Sequence, residues 1–109
     1  MQKLVSTLLR REGWRVDVVD QGNEAIRALA RVRYNAVLLD IMMPHEGGMT
    51  VIRHLKDRDP DVLQRVILLT ATPESVLRTI AADVAGVVHK PFQPDELVSA
   101  VRELMGRGR

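Results

Sequence analysis

Three side chains stand where chemistry could be done, each at the end of an apolar run. Asp40 closes the run NAVLLD, Thr70 closes RVILLT, and Lys90 follows GVVH. A carboxylate can attack a phosphoryl group and form an acyl phosphate. A hydroxyl and an ammonium can then hold the new phosphoryl oxygens. Phosphoryl transfer asks mainly for positioning and charge neutralisation, usually with a divalent cation. Taken singly, each residue has a plainer reading. Asp40 could satisfy backbone N–H groups in a loop, Thr70 could be a β-former, and Lys90 could be a solvated charge. Their recurrence at the ends of successive runs favours the chemical reading.

The elements that would position them follow from periodicity. Residues 2–11 carry Leu4, Val5, Leu8 and Leu9 at helical spacing, and Gly13 is a C-terminal cap. Residues 14–20, WRVDVVD, are rich in β-branched residues and stop at a turn signal, which predicts a strand. Asn23 is placed to cap the next helix, whose face carries Ala25, Ile26, Leu29 and Ala30. Residues 34–42 run apolar without alternation, as in a strand buried on both faces. Met49, Ile52 and Leu55 mark a helix ending near Asp59-Pro60. Residues 65–70 form the next strand, and Thr72-Pro73-Glu74 opens a helix with Val76, Leu77 and Ile80. Residues 86–89 form a short strand. Pro94-Asp95-Glu96 opens the last helix, with Leu97, Val98, Val101, Leu104 and Met105 inward. Strict alternation of helix and strand predicts an α/β fold, a parallel sheet with helices on both faces. In such sheets function collects at the carboxyl ends of the strands.

Composition bounds the remaining classes. The 109 residues suit one domain, spanning 1–109. Apolar residues are 46% and aromatics 3%, so the core must be built from Leu, Val, Ile, Ala and Met. There is no cysteine, which excludes disulfides and thiolate metal sites and accords with a cytoplasmic protein. No apolar run approaches the ~20 residues of a membrane span. The net charge is +2 and the arginines are scattered, so nucleic-acid binding by this segment is not expected.

With these residues in view, the chain resembles a receiver domain of a two-component response regulator. The carrying motifs are Asp40-Ile41-Met42-Met43-Pro44, Thr70-Ala71 and Lys90-Pro91-Phe92, with Asp20-x-Gly22-x-Glu24-Ala25 at the turn into the second helix. The resemblance implies a flavodoxin-like doubly wound parallel sheet. It implies that Asp40 is the phosphoacceptor, taking its phosphoryl group from a histidine kinase or phosphotransfer protein. Thr70 would bind that group and shift toward it, and Lys90 would pair with a phosphoryl oxygen. Asp40 and the backbone carbonyl of Met42 would ligate Mg²⁺. Pro91 would follow a cis peptide bond. The resemblance implies a signalling module rather than an enzyme.

The chain departs from the family pattern at its start. The family begins with a strand ending in two acids that bind Mg²⁺, whereas here Met1 already falls in the first helix. The expectation is therefore a truncated fold of four strands and about five helices. Its metal site would be incomplete, since Mg²⁺ demands near-octahedral oxygen ligation. The absent strand is normally central, so two strands would lose a neighbour and expose backbone groups. A swapped or sheet-extending homodimer through the exposed strand edges would close the gap. Alternatively, residues 14–20 could move beside the Asp40 strand and bring Asp20 in as a ligand. The loop His45-Glu46-Gly47-Gly48 matches the family only at Gly48, and Val87 stands where the family has an aromatic.

Two functions compete on this reading. One is a phosphorylatable receiver, impaired in this chain. The other is a degenerate receiver that binds partners without phosphorylation. An Asp-nucleophile phosphatase of the haloacid-dehalogenase type would need a second Asp two residues on, where this chain has Met42.

Overall fold

The structure is a computed structural model that describes residues 2–41, 48–71, 78 and 82–107. In chain order it contains α1 (Gln2–Arg11), α2 (Gly22–Arg31), β1 (Val37–Asp40), α3 (Gly48–Arg58), α4 (Pro60–Leu63), β2 (Val66–Thr70), β3 (Gly86–His89) and α5 (Pro94–Arg107). The strands form a parallel sheet in the order β1-β2-β3. Every residue of β2 is buried, which explains its unbroken apolar run.

The sheet separates two apolar layers. Val37, Leu39 and Ile41 face the layer under α2, α3 and α4, with Leu68, Val51 and Leu55. Leu38, Ile67, Leu69 and Val88 face the layer under α1 and α5, with Val5, Leu97 and Val101. Helices on both faces of a parallel sheet make this the doubly wound architecture that alternation predicts.

Several local signals act as expected. Gly13 ends α1 with φ +88, and its N–H donates to the Arg10 carbonyl at 3.0 Å. Pro94 opens α5, where the Glu96 carboxylate reaches back to the Gln93 N–H at 2.9 Å. Leu97, Val101 and Leu104 are buried beneath it.

Other expectations are corrected. Three strands are present among the described residues where four were expected. Residues 14–20 form no strand. A β-strand exists only through a ladder, and among the described residues this segment forms none, so its β-branched composition does not make a strand. Its side chains nevertheless keep a strand's parity. Trp14 and Val16 pack on the α1/α5 layer, and Val19 on the opposite one. Asn23 is no cap: α2 opens at Gly22 after Gln21, and the Asn23 side chain accepts a bond from the Glu24 N–H. A one-turn helix, α4, follows α3 because Pro60 can start a helix but not continue one. Leu4 is exposed at 54%, and the small Ser6 is buried instead, its hydroxyl donating to the Lys3 carbonyl. The helix expected from Thr72-Pro73-Glu74 lies outside the described residues, apart from a helical Arg78.

Side-chain bonds tie the unpaired segment down. The Tyr34 hydroxyl donates to Asp17 Oδ2 at 2.7 Å, and Arg10 Nη2 donates to the Val16 carbonyl at 3.1 Å. The bond to Asp17 pushes the Tyr34 phenol above its ordinary 10.0, because ionisation would break it and set two negative charges together.

Two outcomes are expected. Leu68→Ala, which empties a fully buried position in the central strand, lowers stability by about 2–5 kcal/mol in urea unfolding. Tyr34 is the sole tyrosine, so absorbance at alkaline pH reads it cleanly. Its midpoint falls in Asp17→Ala. The raised pKa also means that this bond's stabilisation is present below the unfolded tyrosine pKa and fades as pH rises through the folded one.

Candidate functional site

The parallel register brings the three candidate residues to one rim. Asp40 is opposite Leu69 at the end of β1, and Thr70 is opposite His89 at the end of β2. Lys90 follows immediately, and its N–H donates to the Thr70 carbonyl at 2.8 Å. That bond fixes the Lys90 backbone to the end of β2. The Lys90–Pro91 peptide bond is cis, as the resemblance implies.

The Lys90 side chain reaches across β2 to β1. Its Nζ lies 2.8 Å from Asp40 Oδ2, with the two side chains 20% and 30% exposed. Partial burial limits solvent screening, so this charge-assisted bond is stronger than a surface ion pair. Asp40 and Lys90 have the same strand parity as Leu38 and Val88, both on the α1/α5 side. Thr70 has the opposite parity and is fully buried.

Gly48 is the site residue whose reason the sequence did not disclose. It opens α3, and its N–H donates to the Ile41 carbonyl at 3.3 Å. A Cβ at this position would lie 2.7 Å from both the Asp40 carbonyl oxygen and Ile41 Cα. Glycine therefore lets α3 start hard against the backbone that carries Asp40. The only sequence signal was its match to the family's glycine.

The described residues do not make a Mg²⁺ site by themselves. Among them, no three acids or histidines group to hold a metal. The Asp40 carboxylate oxygen is engaged by an ammonium, and the Met42 carbonyl lies outside the described residues. Residues 14–20 form no ladder with β1, so Asp20 does not arrive as the end of a neighbouring strand. Asp20 instead shares a hydrogen bond with Glu24, which raises the Glu24 pKa. His54 and His89 are exposed, as expected, and His45 lies outside the described residues.

The family model for the response regulator receiver domain matches residues 1–102, and the chain belongs to that family. It is 37% identical over 110 residues to the probable transcriptional regulatory protein TcrX of Mycobacterium tuberculosis, covering 98% of this chain and 46% of that protein. It is 32% identical over 109 residues to the transcriptional regulatory protein ResD of Bacillus subtilis, covering 98% and 44%. The chain thus spans less than half the length of these relatives. Among solved structures it resembles the receiver domain of the sensor histidine kinase PA1611 from Pseudomonas aeruginosa. That match has a TM-score of 0.84 at 29% identity and covers 96% of this chain and 88% of the other. The PA1611 structure has a magnesium ion coordinated in its active site cleft. Its fold and the alternating layers here are the same flavodoxin-like arrangement.

Gly48→Ala is expected to push α3 off the Asp40–Ile41 backbone and cost about 1–3 kcal/mol. The Lys90 ammonium NMR resonance should shift as its contact with Asp40 loosens.

Proposed function

We propose that Asp40 is the phosphoacceptor of a two-component response regulator, supplied by a histidine kinase or phosphotransfer protein. The observation that carries this reading is the Lys90–Asp40 contact at the carboxyl edge of a parallel sheet, with Thr70 ending the strand between them.

The chemistry is a single transfer. A carboxylate oxygen of Asp40 attacks the donor's phosphorus, the new O–P bond forms as the P–N bond of a phosphohistidine breaks, and the imidazole leaves with its electron pair. The product is an acyl phosphate. Lys90 then exchanges a carboxylate oxygen for a phosphoryl oxygen, keeping its charge beside the group that gained negative charge. Thr70 donates its hydroxyl after moving from its buried position. That movement toward the phosphoryl group would couple the site to the outer face. Val87 has no ring to follow it, so this receiver's switch rests on Thr70.

In this family a magnesium ion supplies further charge neutralisation. The donors among the described residues do not fit it by themselves, which supports reading the 109-residue chain alone as an impaired acceptor. The same observation favours a second reading, a receiver that binds partners without phosphorylation. In either case the module acts as an acceptor or adaptor, not as a turnover enzyme. It works in the cytoplasm, and the remaining length of the full protein, by analogy with the transcriptional relatives, carries the output. Among the described residues no helix is long and apolar enough to cross a membrane.

Intact mass separates the readings. Given Mg²⁺ and acetyl phosphate, the native-length protein gains one phosphoryl group, and Asp40→Asn abolishes the gain. The isolated chain reacts roughly 10²-fold or more slowly, the scale of losing a charge-stabilising group. A gain that persists in Asp40→Asn overturns the assignment. No gain in the native-length protein establishes the adaptor reading.

A further inference from the structure

The amino ends of the strands carry a charge pattern that the linear sequence hides. Arg65 immediately precedes β2, and its carbonyl accepts the Val37 N–H at the start of β1. Its Nε donates to the Tyr34 carbonyl at 2.9 Å. Tyr34 in turn donates its hydroxyl to Asp17, and Arg10 donates to the Val16 carbonyl. Glu12, just past α1, pairs with Arg102 near the end of α5. The ends of α1 and α2, residues 14–17 and the start of β2 therefore meet at one rim, opposite the rim of Asp40 and Lys90.

Arginines gather on this rim. Arg10 and Arg11 end α1, Arg31 ends α2, and Arg15, Arg33 and Arg65 lie in the connections; all are exposed except the half-buried Arg65. The helix dipoles account for Arg10, Arg11 and Arg31, which sit in last turns. They do not account for Arg15, Arg33 and Arg65, which lie outside the helices. Glu12 and Asp17 stand among them, and each is engaged, by Arg102 and by Tyr34. Asp59 and Asp61 belong to the α3–α4 end of the rim, so the basic excess is confined to the α1–α2 side. The whole chain carries only +2, so this excess leaves the rest of the molecule net negative.

We propose that this arginine rim binds the phosphate backbone of duplex DNA without reading its sequence. A guanidinium fork matches phosphate oxygens in two-point bonds, and no lysine stands among these cations. One bond to a carbonyl, as Arg10 and Arg65 make, uses only part of a five-donor group. A small anion would need donors converging on one point, whereas these are spread over two helix ends and the connections, as a row of phosphates requires. A lipid surface would need broad apolar area beside the charge, and the exposed large apolar residues nearby are the valines Val18 and Val32. The net negative remainder turns the Asp40 rim away from a polyanion. Along the sequence the arginines look scattered, and the expectation of no nucleic-acid partner rested on that scatter. This inference does not rest on the phosphoryl reading.

Fluorescence anisotropy of a short labelled duplex, titrated with the chain, tests it. With about four phosphates contacted, affinity should fall about 10²-fold between roughly 50 and 200 mM salt, and duplexes of unrelated sequence should bind equally. Arg15→Gln with Arg33→Gln should weaken binding about tenfold and reduce the salt slope by about two. Arg53→Gln with Arg78→Gln removes the same charge from exposed positions on other helices and should change affinity less than about twofold. The salt slope of the parent chain makes the same point without any variant. Three results overturn the inference: no binding at low salt, equal weakening by the two double variants, or tighter binding to polyglutamate or to phosphatidylserine vesicles than to the duplex. The last would identify an acidic polypeptide or a lipid surface as the partner instead. Phosphorylation enters none of these readouts, so failure here leaves the Asp40 assignment standing.

Discussion

The rim depends on β2 being paired on both edges and buried on both faces. Parallel pairing aligns the ends of β1 and β3 on either side of it, and only that alignment lets an ammonium from one reach a carboxylate on the other. The Lys90–Asp40 contact crosses an intervening strand, so a one-residue slip in either ladder would turn one of the two side chains to the opposite layer. The apolar residues of β2 fit both layers and hold the register by burial. The bond from the Lys90 N–H to the Thr70 carbonyl then holds the end of β3 to it.

The same dependence explains the weak side of the molecule. Among the described residues β1 has a hydrogen-bonded strand on one edge only. Val37 and Leu38 are half-buried and only Leu39 is buried, although the run is nearly as apolar as that of β2. Burial in a sheet is set by neighbours as much as by composition, and here the neighbours differ. The carboxylate therefore stands at the end of the less supported strand. Gly48 compensates in part, because the close approach of α3 to Asp40 and Ile41 backs this strand from its carboxyl end.

The electrostatics at the rim follow from the same geometry. With no group of acids or histidines to hold a metal among the described residues, the counter-charge beside Asp40 is the Lys90 ammonium. An ammonium on a flexible stem can follow an oxygen that gains a phosphoryl group. It supplies one charge, however, where a divalent ion would supply two and fix the ligand geometry as well.

Much was legible in the sequence. Unbroken apolar runs marked β1, β2 and β3, and alternation with helices fixed their parallel sense. The residue types at the run ends, Asp40, Thr70 and Lys90, named the rim before any coordinate did. Gly13 and Pro94 marked helix ends through backbone rules that need no tertiary context. Other features could be decided only by the fold. Residues 14–20 have a strand's composition and form none, because hydrogen-bonded partners, and not propensity, make a strand. Gly48 looked like an ordinary loop glycine until its missing Cβ was seen to face backbone at 2.7 Å. Thr70 looked available until the sheet buried it. Sequence carries local preference and the order of elements, whereas which atoms meet across fifty residues, as Asp40 and Lys90 do, is set by register and packing.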